Sequence, residues 1–159
     1  MDSSFDRRLG QAIRTAVATV PGGVVLARTA ARSMAPAFEA IVLAMVVRPD
    51  LRRSGVAAGA AAVCAATSAR IARDAIARPR PGERPDGGLP SRHAAAAVAI
   101  TCAVMRRHPG LGRVLGAAAT VGLVGRIATG DHDPADIAAG ALVGASADWL
   151  VQRATEAGR

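Results

Sequence analysis

Lysine and tyrosine are missing from the chain altogether, and its 159 residues hold only one Trp, two Phe and two Cys. Without aromatic side chains there is no stacking platform for bases. The net charge of +8 by itself suits nucleic acid or an anionic membrane surface, but with no recognised binding motif and no single basic helix face either, nucleic acid is the weaker reading. Alternating runs of Val, Ile, Thr or Tyr are also absent, so a sheet is not expected and the chain reads as all-α. Cys64 and Cys102 sit inside apolar runs without a partner pattern, which reads as two small core hydrophobes and not as a disulfide or metal pair. A core this poor in rings must be aliphatic and Ala-rich, and small side chains let helices approach closely, as in membrane bundles.

What the chain does have is arginine, which supplies all 20 of its basic side chains. These fall between apolar runs, as they would at the edges of a membrane. The opening residues do not read as a secretory signal, because charges recur through them and no continuous apolar stretch follows. Apolar positions Phe5, Leu9, Ala12, Ile13, Ala16 and Val17 predict an amphipathic helix over 3–19. The breaker at 21–23 is followed by a second short helix over 24–34. Residues 1–33 are therefore expected to be amphipathic N-terminal helices, and 34–153 a core bundle of four to five helices.

The apolar runs of that bundle cover 35–47, 54–72, 93–105 and 114–125, and a further helix covers 134–152, with Trp149 placed where an interfacial aromatic would sit. Several runs are shorter than the roughly 20 residues of a membrane span. The turns at 48–53 and 105–113 read as membrane-edge turns, His108 as a solvated turn residue, and 77–92, rich in Pro, Gly and charge, as a loop. No internal repeat is visible.

Up-and-down threading brings three polar segments to one end of the bundle. The helix entering the loop ends at "RDAIARPRP", the helix leaving it begins at "LPSRH", and the helix from 114 returns to "GRIATGDHDPAD". Arg73, Arg78, Arg80 and Arg126, together with the N–H groups of a helix start after Ser91, describe a phosphate site. His93 and His132 beside it supply a nucleophile and a general acid. Pro134 suits a first helical position with Asp133 as N-cap, and Asp136 stands one turn after His132, where a carboxylate would orient the imidazole. Arg78 and Arg84 read as loop or headgroup residues, and Asp131 and Asp133 as turn and capping residues.

This pattern resembles the type 2 phosphatidic acid phosphatase family, which shares its site with vanadium haloperoxidases. The family's first motif is Lys, six residues, Arg-Pro, matched here by Arg73, Arg80 and Pro81. The second, Pro-Ser-Gly-His, is matched by Pro90, Ser91, Arg92 and His93. The third, Ser-Arg, five residues, His, three residues, Asp, is matched by Gly125, Arg126, His132 and Asp136. Arg73 stands in place of Lys, Arg92 in place of Gly and Gly125 in place of Ser.

The resemblance implies a membrane-embedded, multi-pass enzyme of the cell membrane that hydrolyses lipid phosphates without metal or other cofactor. By carry-over, His132 is the nucleophile, Asp136 orients it and His93 protonates the leaving oxygen. Arg73, Arg80, Ser91, the Arg92 N–H and Arg126 hold the phosphate. Small Arg- and Ala-rich members resemble bacterial polyprenyl-phosphate enzymes, one group of which acts on decaprenyl-phosphoryl phosphoribose. The partners implied are the lipid phosphate and the surrounding membrane lipids. A vanadate-dependent haloperoxidase and a catalytically inactive membrane helix protein are the competing readings. The arginine distribution does not assign the site to one side of the membrane.

Overall fold

The computed structural model describes residues 3–76 and 87–157, and these form six α-helices. They are α1 (Ser3–Ala18), α2 (Gly23–Val47), α3 (Arg52–Ile76), α4 (Arg92–Met105), α5 (Pro109–Ala128) and α6 (Pro134–Ala157). Among the described residues there is no strand, as the missing alternation implies. α4 is the central element. It packs against α3, α5 and α6, while α2 lies across α5 and α3. α1 packs at the end where α5 finishes and α6 begins.

Two apolar clusters hold the bundle together. One joins Met34, Phe38 and Met45 of α2 to Ile100 and Val104 of α4 and Leu115 and Leu123 of α5. The other is built of alanines, with Ala61, Ala65 and Ala69 of α3 against Ala95 and Ala99 of α4 and Ala147 of α6. Methyl-sized side chains bring backbones together, so dispersion contacts between close helices replace the large rings this chain lacks.

α2, α3 and α5 are long and apolar enough to cross a membrane, with mean hydropathy of 1.4–1.5 over their best windows. Much of their apolar surface faces outward, including Leu43, Val63, Ile71 and Val121. Such an extent of exposed apolar surface fits lipid as the surrounding solvent. The architecture is that of a membrane helical bundle. At 14 residues, α4 spans only about 21 Å.

The helix ends follow local chemistry. Pro109 opens α5 and Pro134 opens α6, since a first-turn N–H has no partner inside the helix. Gly130, at φ +74°, ends α5 in the left-handed conformation, with its N–H on the Ile127 carbonyl.

Three expectations need correction. The two helices expected over 24–34 and 35–47 are one continuous α2, so the boundary at 33/34 falls within it. Pro36 removes one backbone donor, yet Ala31, Met34 and Phe38 are buried on both sides of it and hold the helix through. The helix expected from 114 begins at Pro109, because proline there opens the helix and does not prolong the turn. His108 is not a solvated turn residue. It is half-buried at the α5 N-cap, and its Nε2 lies 3.0 Å from Ser54 Oγ.

Near it, the Arg106 guanidinium donates to both oxygens of the buried Asp148 carboxylate. These hydrogen bonds raise its pKa further above the ordinary arginine value. Cys64 and Cys102 are free thiols, half-buried and not fully enclosed in the core.

Candidate active site

Three of the five largest side chains enclosed in the described core are polar: His132, Asp136 and Ser91. Polar groups are costly to bury without partners, so their grouping calls for a reason. All three stand where α4 and α6 start. The Ser91 N–H donates to the Asp136 carbonyl at 2.9 Å, which ties the N-cap of α4 to the first turn of α6. Ser91 Oγ in turn accepts the Ala94 N–H at 3.4 Å.

The turn carrying His132 is held by α5. The Arg126 carbonyl accepts from the N–H of Asp131 at 2.9 Å and of His132 at 3.3 Å. Asp136 Oδ2 accepts the Asp133 N–H at 3.0 Å, the reach-back of a capping box, and lies 3.4 Å from His132 Nδ1. Both side chains are 2% exposed. One carboxylate thus fixes the helix start and faces the Nδ1 side of the ring, which leaves Nε2 as the other functional nitrogen.

The remaining residues of the motifs divide. His93, in the first turn of α4, and Arg92 line a cavity of about 440 Å³ between α2, α3 and α4, whose wall is Met34, Phe38, Ala62 and Ile100 with Glu39 at its edge. Arg126 is partly buried in the last turn of α5. One of its nitrogens donates to the Ala31 carbonyl of α2 at 3.3 Å, and the other lies 4.0 Å from Asp131 Oδ2. Asp131 also accepts from Thr129 Oγ1 at 3.2 Å, so it orders the turn, as expected. Arg73 is in the last turn of α3, Nε 3.7 Å from Asp74, with Gly87 passing against its side chain. Arg78, Arg80, Pro81 and Arg84 lie outside the described residues.

Two departures from the family motifs have physical explanations. Arg92 is the first residue of α4 and adopts helical geometry, so this position does not depend on glycine here. At Gly125 a Cβ would lie 2.5 Å from the Ala27 carbonyl oxygen, because α2 and α5 touch backbone to backbone. A serine at that position would collide with α2, so the approach of the two helices leaves no room for the hydroxyl.

Asp6 is a residue that the sequence reading missed. It is 4% exposed, and its Oδ1 accepts the Ala135 N–H at 2.9 Å across 129 residues of sequence. α1 therefore caps α6 at its second residue, one position before Asp136. Nearby Gly10 lets α1 sit against Asp133 and Pro134. A lone Asp six residues from the start carries no signal that would reveal such a partner. Asp6→Ala is expected to lower stability by about 1–3 kcal/mol through the orphaned N–H, seen as a lower melting temperature in detergent. Asp6→Asn, which keeps an acceptor oxygen, is expected to restore most of the loss.

A long-helix bundle with the buried polar residues Asp6, Ser91, His132, Asp133 and Asp136 gathered at one end is the class the coordinates define. In its fold the chain is similar to the transmembrane PAP2-type phosphatidylglycerolphosphate phosphatase from Bacillus subtilis, with a TM-score of 0.71 over 98% of this chain and 88% of that one at 18% identity. The two share the fold. No family model matches the sequence, and no curated protein matches it.

Proposed function

We propose that the chain is a membrane lipid phosphate phosphatase of the PAP2 type, embedded in the cell membrane through several spans. The observation that carries this reading is the buried His132–Asp136 pair at the shared start of α4 and α6. It is supported by the three spaced motifs and by likeness in fold to a phosphatase of that type.

In the proposed reaction, Nε2 of His132 attacks phosphorus, and the bond from phosphorus to the lipid oxygen breaks as the N–P bond forms. His93 gives its proton to the departing lipid alkoxide. Water then attacks the phosphohistidine, His93 takes a proton from it, and the N–P bond breaks to release inorganic phosphate. Asp136 steadies the positive charge that develops on the imidazole, and its 3.4 Å separation from Nδ1 shortens when substrate is bound. Arg73, Arg80, Arg126, the Ser91 hydroxyl and the Arg92 N–H hold the phosphoryl oxygens. Their role is electrostatic: charge spread over three oxygens in the transition state meets fixed donors. The cavity running from His93 along α4 to Ile100 has the apolar lining to take the lipid portion.

The test is phosphate release by purified protein from a panel of phosphatidic acid, phosphatidylglycerol phosphate, polyprenyl phosphates and diphosphates, and decaprenyl-phosphoryl phosphoribose. Turnover of at least one is expected without added metal. For a polyprenyl substrate, turnover of decaprenyl-phosphoryl phosphoribose is expected to exceed that of phosphatidic acid, and equal or faster release from phosphatidic acid would remove it.

A further inference from the structure

The end of the bundle opposite the candidate site carries a second concentration of charge. Here the first turn of α3, the turn between α4 and α5, and the last turns of α6 surround an open cleft of about 560 Å³. Arg52, Arg53 and Arg107 form its rim, and Val56, Ala60 and Val151 line its wall. The three arginines are exposed, and among the described residues none of them forms an ion pair. Two other cations at this end are committed: Arg48 pairs with Asp50 at 3.2 Å and Arg106 with Asp148. Glu156, on the wall of the adjoining cleft, accepts from Gln152 at 2.9 Å.

The depth of the cleft is marked independently. Trp149, 54% exposed, stands within one turn of Val151 on α6, and Arg153 lies over its ring at 5.2 Å. Tryptophan is enriched at the membrane–water interface, and an exposed Trp with a guanidinium over its ring fits that depth. Three uncommitted guanidinium groups above an apolar wall, at interfacial depth, match a phosphate headgroup with an acyl chain below it.

We propose that this cleft binds one anionic phospholipid, with its phosphate among Arg52, Arg53 and Arg107 and one chain along Val56, Ala60 and Val151. The site is separate from the His132 cluster and does not depend on the reading given for that cluster.

The experiment uses the full chain purified in detergent. Phosphatidylserine, phosphatidylcholine with the same acyl chains, and inorganic phosphate are added separately, with binding read by native mass spectrometry and by melting temperature. Phosphatidylserine is expected to be retained at least about tenfold more strongly than phosphatidylcholine and to raise the melting temperature by a few degrees. The triple variant Arg52→Gln/Arg53→Gln/Arg107→Gln is expected to lose that preference, and His132→Ala to keep it. Should the triple variant not fold, Arg107→Gln alone is expected to weaken retention severalfold.

Equal retention of the two lipids overturns the proposal. So does an unchanged preference in the arginine variant, or in Arg107→Gln where that variant stands in for it. An inorganic phosphate effect as large as that of phosphatidylserine would make the cleft a simple anion site, and the lipid proposal would fall.

Discussion

Alanine in place of His132 is expected to abolish phosphate release, by on the order of 10⁴–10⁶-fold, because a chemical step that proceeds through a covalent intermediate has no substitute nucleophile. Acid quenching during turnover of a ³²P-labelled lipid phosphate should leave acid-labile label on the wild-type chain and none on His132→Ala. Asp136→Asn separates the two duties of that carboxylate. The amide keeps an oxygen to accept the Asp133 N–H, 3.0 Å away in the wild type, so the start of α6 should hold. It loses the charge that faces His132 Nδ1, and kcat is expected to fall by about 10²–10⁴-fold with little change in melting temperature. If His132→Ala retained wild-type turnover, the phosphohistidine reaction would be wrong, whatever the likeness in fold.

The prediction isolates the part of the site that the sequence made legible. His132 and Asp136 are one helical turn apart, and Pro134 announces a helix start between them, so their proximity follows from local geometry. The shared end of Ser91 and His132 follows from alternation of the helices, and the Ser91–Asp136 hydrogen bond at 2.9 Å is its structural counterpart. Contacts set by tertiary packing left no such trace. Asp6 reaches α6 only because α1 lies across the bundle end. The course of Arg126 toward the Ala31 carbonyl depends on how closely α2 and α5 approach. Local rules also misread two helix boundaries. The break expected between residues 34 and 35 is absent, and Pro36 is carried inside α2 by packing on both sides, whereas Pro109 fell within an expected turn and opens α5. At Pro36 the deciding factor was the burial of neighbours, which a single sequence does not display, and at Pro109 it was the proline's own fitness for a first helical turn.

The largest expected effect on folding comes from the seam between α4 and α6. Gly140 and Gly144 are four residues apart on one face of α6, the small-xxx-small spacing that lets helix backbones meet. A Cβ at Gly140 would lie 2.4 Å from the Ser91 carbonyl oxygen, and one at Gly144 would lie 2.3 Å from that of Ala95. The colliding atoms are backbone and cannot swing aside, so α4 and α6 must separate. Gly144→Leu is expected to destabilise the chain by about 3 kcal/mol or more, or to prevent accumulation of folded protein, as read by melting temperature and size-exclusion profile in detergent.

Gly110→Ala is the matching control. A Cβ there meets nothing within 4 Å, and alanine suits a helix better than glycine, so stability should hold or rise by up to about 1 kcal/mol. Gly140→Ala adds a functional readout. The atom it strikes belongs to Ser91, whose N–H is tied to Asp136, so spreading the seam here also moves the start of α4 away from the turn bearing His132. Phosphate release is therefore expected to fall further in Gly140→Ala than in Gly144→Ala at equal loss of melting temperature. Equal activity losses in the two variants would show that the junction of α4 and α6 does not set the geometry of the His132 cluster.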